Sequence, residues 1–195
     1  MPMSVWRITG RHFAAPPPAD WRAQLATRLG QRPRRIGEWA ELALFGARQC
    51  LDHAGETDLP GDALLSLSSL HGPDIALRAA LEQMHDGVPM PITFLNSQPS
   101  QALPALAQYL GWQGNGRCLA TRDPLLALQL ACLEAGPDGL LAGWVDEDAP
   151  GTSVWLRLSP TDAGNSAFET ATFAMLEEAR FNVLAFDGMQ LKLGA

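Results

Sequence analysis

Leu119-Ala120-Thr121-Arg122-Asp123-Pro124-Leu125-Leu126-Ala127-Leu128-Gln129-Leu130-Ala131-Cys132 is the stretch on which the fold turns. Asp123 followed by Pro124 marks a helix start. The aspartate oxygen accepts from amides of the first turn, and a proline at the first helical position gives up an amide that has no helical partner. From residue 125 to 133 every side chain except Gln129 is apolar. A surface helix carries a polar face, so this pattern predicts a helix buried on most sides. Gly136 ends it, and the apolar run 140–145 reads as a strand interior to a sheet.

Working outward, strands and helices alternate. Residues 63–68 predict a short apolar strand, and Ser69-Leu70-His71-Gly72-Pro73 a loop. Asp74 caps a helix whose Leu77, Ala80, Leu81 and Met84 share a face, and Gly87 stops it. Residues 89–94 read as extended. A helix then runs from 100 or 101 to 110, with Pro104 tolerated in its first turn. Nearer the amino terminus, 5–13 predicts a strand, the three prolines 16–18 a connector, and 21–29 a short helix. A stronger helix covers 36–53, where Trp39, Leu42, Ala43, Gly46 and Cys50 form one stripe and Gly55 follows. On the carboxyl side, 154–158 alternates as a strand, 160–166 is a loop, and 168–180 suits a helix. Asp187-Gly188 joins strands 182–186 and 189–193 as a hairpin. The expectation is one α/β domain over residues 1–195, built on a mixed sheet with a buried central helix.

The net charge of −7 excludes broad attraction to nucleic acid or an anionic membrane. Arg28, Arg32, Arg34 and Arg35 form one local basic cluster. No run of apolar residues is long enough for a membrane span, and residues 1–10 carry no secretory pattern. Cys50, Cys118 and Cys132 are odd in number and lack a metal-ligand spacing, as expected of reduced thiols in a cytoplasmic protein. No metal or other cofactor is expected.

Met90-Pro91-Ile92-Thr93-Phe94-Leu95-Asn96-Ser97-Gln98-Pro99-Ser100-Gln101-Ala102 resembles a motif of small β-ketoacyl synthase-like proteins, Ser-Pro-Thr-x-Phe-x-x-Ser-Val-His-Asn-Ala. Pro-Ile-Thr-Phe and Asn-Ser are retained, and Gln-Pro-Ser replaces Val-His-Asn. Ser69-Leu70-His71-Gly72 resembles the Ser-x-His-Gly segment of such proteins from aryl-polyene clusters, and Leu140-Leu141-Ala142-Gly143-Trp144 is similar to their strand after the central helix. The resemblance covers roughly residues 20–147. It implies a truncated thiolase-like fold, the amino-terminal half of the thiolase superfamily.

That resemblance places Thr121 or a direct neighbour where the family carries its nucleophilic cysteine. Neither Cys118 nor Cys132 aligns there, and no histidine lies beyond His85. A threonine hydroxyl needs an adjacent base, and the neighbouring Asp123 repels a developing alkoxide. The resemblance therefore implies a degenerate, non-catalytic subunit of the chain-length-factor type, acting in polyene or fatty acyl synthesis. Its implied partners are a catalytic β-ketoacyl synthase and an acyl carrier protein, in a hetero- or homodimer. Thr93, Phe94, Leu95, Asn96, Ser97, Leu103 and Leu106 would stand at the interface or acyl tunnel, and Arg32, Arg34 and Arg35 at a carrier-docking surface. The alternative is a small acyltransferase or hydrolase using Cys118 or Ser69 as nucleophile with His71 as base.

Overall fold

The computed structural model describes residues 4–88, 90–148, 150–162 and 167–195. Pro89 of the expected extended stretch and residues 163–166 of the expected loop lie outside them. Among these residues eight strands form one sheet: β1 (Val5–Ala14), β2 (Leu64–Ser69), β3 (Gly116–Ala120), β4 (Leu140–Asp146), β5 (Thr152–Thr161), β6 (Phe168–Thr170), β7 (Val183–Asp187) and β8 (Gln190–Gly194). Their order is β3-β2-β4-β5-β1-β7-β8-β6. β2 runs parallel to both β3 and β4, and every other pair is antiparallel. The sheet is therefore mixed, with β3 as one open edge.

Among the described residues six helices accompany it: α1 (Trp21–Leu29), α2 (Glu38–Ala54), α3 (Asp74–His85), α4 (Pro91–Asn96), α5 (Ala102–Tyr109) and α6 (Pro124–Glu134). α1, α2 and α5 pack on one face of the sheet around Leu44, Leu65, Leu106, Leu141 and Trp155. On the other face lie α6 and a 3-10 turn, Phe173–Glu177, around Leu128, Leu140, Leu158, Leu176 and Leu193. Among the described residues no helix is long and apolar enough to cross a membrane.

The deeply buried helix is α2, with twelve of its 17 residues buried. Glycine makes this possible. A Cβ at Gly46 would collide with Ser153 Oγ and the Trp155 ring, and one at Gly143 would collide with the same ring from β4. Trp155, fully buried, thus lies in a slot that two absent side chains create. By contrast α6, expected to be sealed, is covered on one side only: Leu128 is buried and Leu133 is 73% exposed. An all-apolar run reports that a helix has no polar face, not how many layers cover it.

Two further expectations need correction. Residues 91–96 are helical, not extended: Pro91 occupies the first turn, and Ser97 Oγ closes the other end by donating to Phe94 O at 2.7 Å. Residues 168–180 do not form one helix. Phe168–Thr170 pairs with β8, and the following 3-10 turn is held by Arg11, which donates to Leu176 O, Glu178 O and Phe181 O. A continuing helix would have needed those carbonyls itself. The closing hairpin is present as β7 and β8.

Candidate functional site

Parallel strands β2, β3 and β4 end at one rim of the sheet, the edge where open α/β sheets commonly bind ligands. Ser69, the last residue of β2, donates its hydroxyl to Asp146 Oδ1 at 2.6 Å and accepts from Gly72 N at 2.6 Å. Asp146 Oδ1, at the end of β4, also accepts from Leu70 N and His71 N at 3.0 and 3.2 Å. Glu147 Oε1 accepts from Ile75 N at 2.7 Å in the first turn of α3. Burial and the nearby Glu38, Asp148 and Asp74 carboxylates push the Glu147 carboxyl up to about 7. His71 Nδ1 meets Asp148 Oδ2 at 2.7 Å, with both side chains about half exposed. The rim is thus a set of acceptors that pins the β2–α3 turn.

Thr121 stands just past β3, where its amide donates to Ser69 O at 3.0 Å. Its hydroxyl accepts from Asp123 N at 3.1 Å. Asp123 Oδ1 in turn accepts from Leu125 N and Leu126 N, 2.9 and 3.2 Å away. The expected cap is therefore present, and the Thr121 side chain is part of it. Nothing in that geometry removes a proton from the hydroxyl.

Ser69, His71 and Cys118 do share one cavity of about 180 Å³, together with Trp39 and Pro99. Ser69 donates to Asp146, and Asp148 meets His71 at Nδ1, leaving the other ring nitrogen, Nε2, without a partner among the described residues. Cys118 donates to Pro99 O at 3.3 Å, and burial pushes its thiol up to about 11. A thiol so raised is a poor source of thiolate at neutral pH. Among the described residues no group of three or more His, Cys, Asp and Glu is placed to hold a metal ion.

The expected interface residues divide. Phe94 and Leu95 are 55% and 46% exposed, and Thr93, Asn96 and Leu103 are half-buried. Ser97 and Leu106 are buried. Leu106 belongs to the core beneath α2, because α5 turns that side chain toward the sheet. Sequence reasoning also missed the scale of the neighbouring patch. Leu81, Met84, Val88 and Met90 are all at least half exposed, beside Phe94 and Leu95. α3 buries only Ala80 and packs on α4, so the two short helices form a hairpin with an open apolar face. The shortage of large residues on the inner side of α3 was its signal.

The basic cluster is partly neutralised. Arg28 pairs with Asp52 at 2.7 Å, and Arg32 lies 3.3 Å from the buried Glu41. Arg34 and Arg35 are exposed, with no ion pair among the described residues. Arg35 has φ +63°, in the left-handed region, at the mouth of a small groove between the start of α2 and α4.

No protein-family profile matches this chain, and no curated protein sequence matches it. Solved structures do. What they share with it is the fold, a mixed α/β sheet with flanking helices, and they include β-ketoacyl synthases and chain length factors. "The ishigamide ketosynthase/chain length factor" superposes with a TM-score of 0.59 at 13% identity, covering 81% of this chain and 59% of its own. A β-ketoacyl synthase from Burkholderia phymatum STM815 gives 0.57 at 14%, over 82% and 60%. This chain thus spans about three fifths of the length of those two. A ketosynthase (ApeO) in complex with its chain length factor (ApeC) from Xenorhabdus doucetiae gives 0.56 at 13%, over 100% of both chains. At such identities the likeness is one of fold.

Proposed function

We infer that this chain is a non-catalytic subunit of the chain-length-factor type, which pairs with a catalytic β-ketoacyl synthase. The observation that carries the reading is the Thr121–Asp123 cap. On the resemblance, the start of α6 is where a ketosynthase holds its nucleophile, and here that place is filled by a hydroxyl and a carboxylate committed to the turn. The four histidines all precede residue 86, so the chain offers no downstream histidines for decarboxylation. The partner would supply the nucleophile and both histidines.

The α3–α4 hairpin and the open edge of β3 supply the surface for that partner. An apolar patch of this kind marks an association site, and an unpaired strand edge invites another strand. Phe94 and Leu95 would then face the growing acyl chain or its tunnel wall. Arg34 and Arg35, the two uncommitted arginines of the cluster, would meet the acidic surface of an acyl carrier protein. The assembly would work in the cytoplasm, in polyene or fatty acyl synthesis. The hydrolase or acyltransferase alternative has less support, because the Ser69 hydroxyl donates to Asp146 rather than to His71, and burial keeps the Cys118 thiol protonated.

The test is co-expression with a full-length ketosynthase from the same genome, followed by size-exclusion chromatography with light scattering and a malonyl-carrier elongation assay. The reading expects a stable heterodimer whose product length changes with Leu95→Trp. A chain that forms only a homodimer and ignores every ketosynthase overturns it.

A further inference from the structure

The cavity of about 180 Å³ at the ends of β2 and β3 has a sealed end and an open one. Trp39 and Leu67 are buried at its depth, whereas His71 and Pro99 are exposed at its mouth. Most of its polar side-chain atoms are satisfied by the protein itself. The Trp39 indole donates to Val145 O at 2.9 Å, Ser69 Oγ donates to Asp146 and accepts from Gly72 N, and Cys118 donates to Pro99 O. Of the side chains that line the cavity, only His71 offers a polar atom, Nε2, with no partner among the described residues.

The bond on the other ring nitrogen fixes what Nε2 can do. The Asp148 carboxylate accepts, so Nδ1 carries the proton, and in the neutral ring Nε2 is left as an acceptor. A ligand must therefore bring a donor. An ammonium group would lose its water in a cavity that no carboxylate lines. A carboxylate would add negative charge to a rim that already holds Asp146 and Asp148. A ketone or an ether has only lone pairs to set against a lone pair. A hydroxyl donates once, and at an exposed mouth its own lone pairs stay with water. Size sets the rest: a cavity of about 150 Å³ with apolar walls takes a benzene ring, so this one has room for a ring and one short substituent.

We propose that this cavity is a binding site for a small neutral alcohol, with an apolar body of about seven carbons against Trp39 and Leu67 and a hydroxyl that donates to His71 Nε2. Asp148 is a positioning residue, because it holds the ring in the accepting tautomer. The site is separate from the α3–α4 face, and the proposal does not depend on the subunit reading.

The test uses the full chain labelled with 15N-histidine and compares benzyl alcohol, benzoate and ethylbenzene, which has the shape of the alcohol without its hydroxyl. Benzyl alcohol should bind saturably and move the His71 Nε2 resonance, which is assigned by its loss in His71→Leu. That variant, at an exposed position, should weaken benzyl alcohol about fivefold, as expected for one lost hydrogen bond, and should not weaken ethylbenzene. Cys118→Met, which narrows the cavity from a half-buried position, should weaken both. Benzyl alcohol that fails to saturate, an unmoved Nε2 signal, or the same change for alcohol and hydrocarbon in His71→Leu overturns the proposal. Benzoate binding tighter than benzyl alcohol also overturns it, since the occupant would then be an acid.

Discussion

Trp39, Leu42, Ala43, Gly46 and Cys50 of α2 recur at the same three- and four-residue steps as Leu77, Ala80, Leu81 and Met84 of α3. The first set is buried between the sheet and α1 and α5, whereas Leu77, Leu81 and Met84 are 42%, 56% and 60% exposed. Periodicity says that a helix has an apolar stripe. What covers the stripe depends on where the chain lays the helix. α2 crosses the middle of the sheet, with a glycine where Trp155 must approach, while α3 leaves the end of β2 and, among the described residues, packs chiefly on α4. In the proposed assembly, α3 and α4 find the rest of their cover on another protein.

The largest expected effect is at the glycine slot. Gly46→Ala places a methyl against Ser153 and Trp155 and should destabilise the chain by about 3 kcal/mol, seen as a lower denaturant midpoint. The next substitution pair separates the two helices. Leu44→Ala in α2 should cost about 3 kcal/mol and Leu81→Ala in α3 no more than about 0.5 kcal/mol. Equal losses would mean that α3 is packed as α2 is. Asp123→Ala removes the α6 cap and should cost about 1 kcal/mol, because two first-turn amides lose their acceptor.

A smaller effect comes from pH and contrasts the face under α2 with the α3 anchor. Burial lowers His12 to about 4, so between pH 6.5 and 4 the unfolded chain takes a proton that the folded chain refuses. Stability should fall across that window, and His12→Gln should flatten the slope. Glu147 works in the opposite sense. Its folded pKa is raised from 4.5 to about 7, so its contribution is fully present below 4.5 and lost as pH rises through 7. Glu147→Gln should therefore raise the melting temperature at pH 8 and leave it nearly unchanged at pH 4. The smallest effect is expected at Arg34→Glu with Arg35→Glu, exposed positions where thermal stability should move by less than about 0.5 kcal/mol.

Much of this architecture was legible in residues with local meaning. The Asp123-Pro124 cap, the Gly55 helix stop and the closing hairpin are found as expected, the hairpin with its turn one residue later, at Gly188-Met189, because Asp187 pairs with Gln190; each depends on atoms within a few residues. The 168–180 segment was misread because Arg11, more than 160 positions away, takes the carbonyls a helix there would have used. At the candidate site, Ser69, His71, Cys118 and Thr121 could be named from the sequence. Their engagement could not, since Asp146 and Asp148 reach Ser69 and His71 only once β2 and β4 lie side by side.

Taken by itself, the sequence determined an α/β chain with capped helices, a closing hairpin and no histidine after residue 85. Those properties follow from composition, from near-neighbour hydrogen bonding and from periodicity along the chain. Only the tertiary structure decided that α2 is the sealed helix, that α6 is covered on one side, that Leu106 belongs to the core, and that the α3–α4 hairpin leaves its apolar face without a partner among the described residues. Burial is a property of layers, and layers form from segments far apart in the chain.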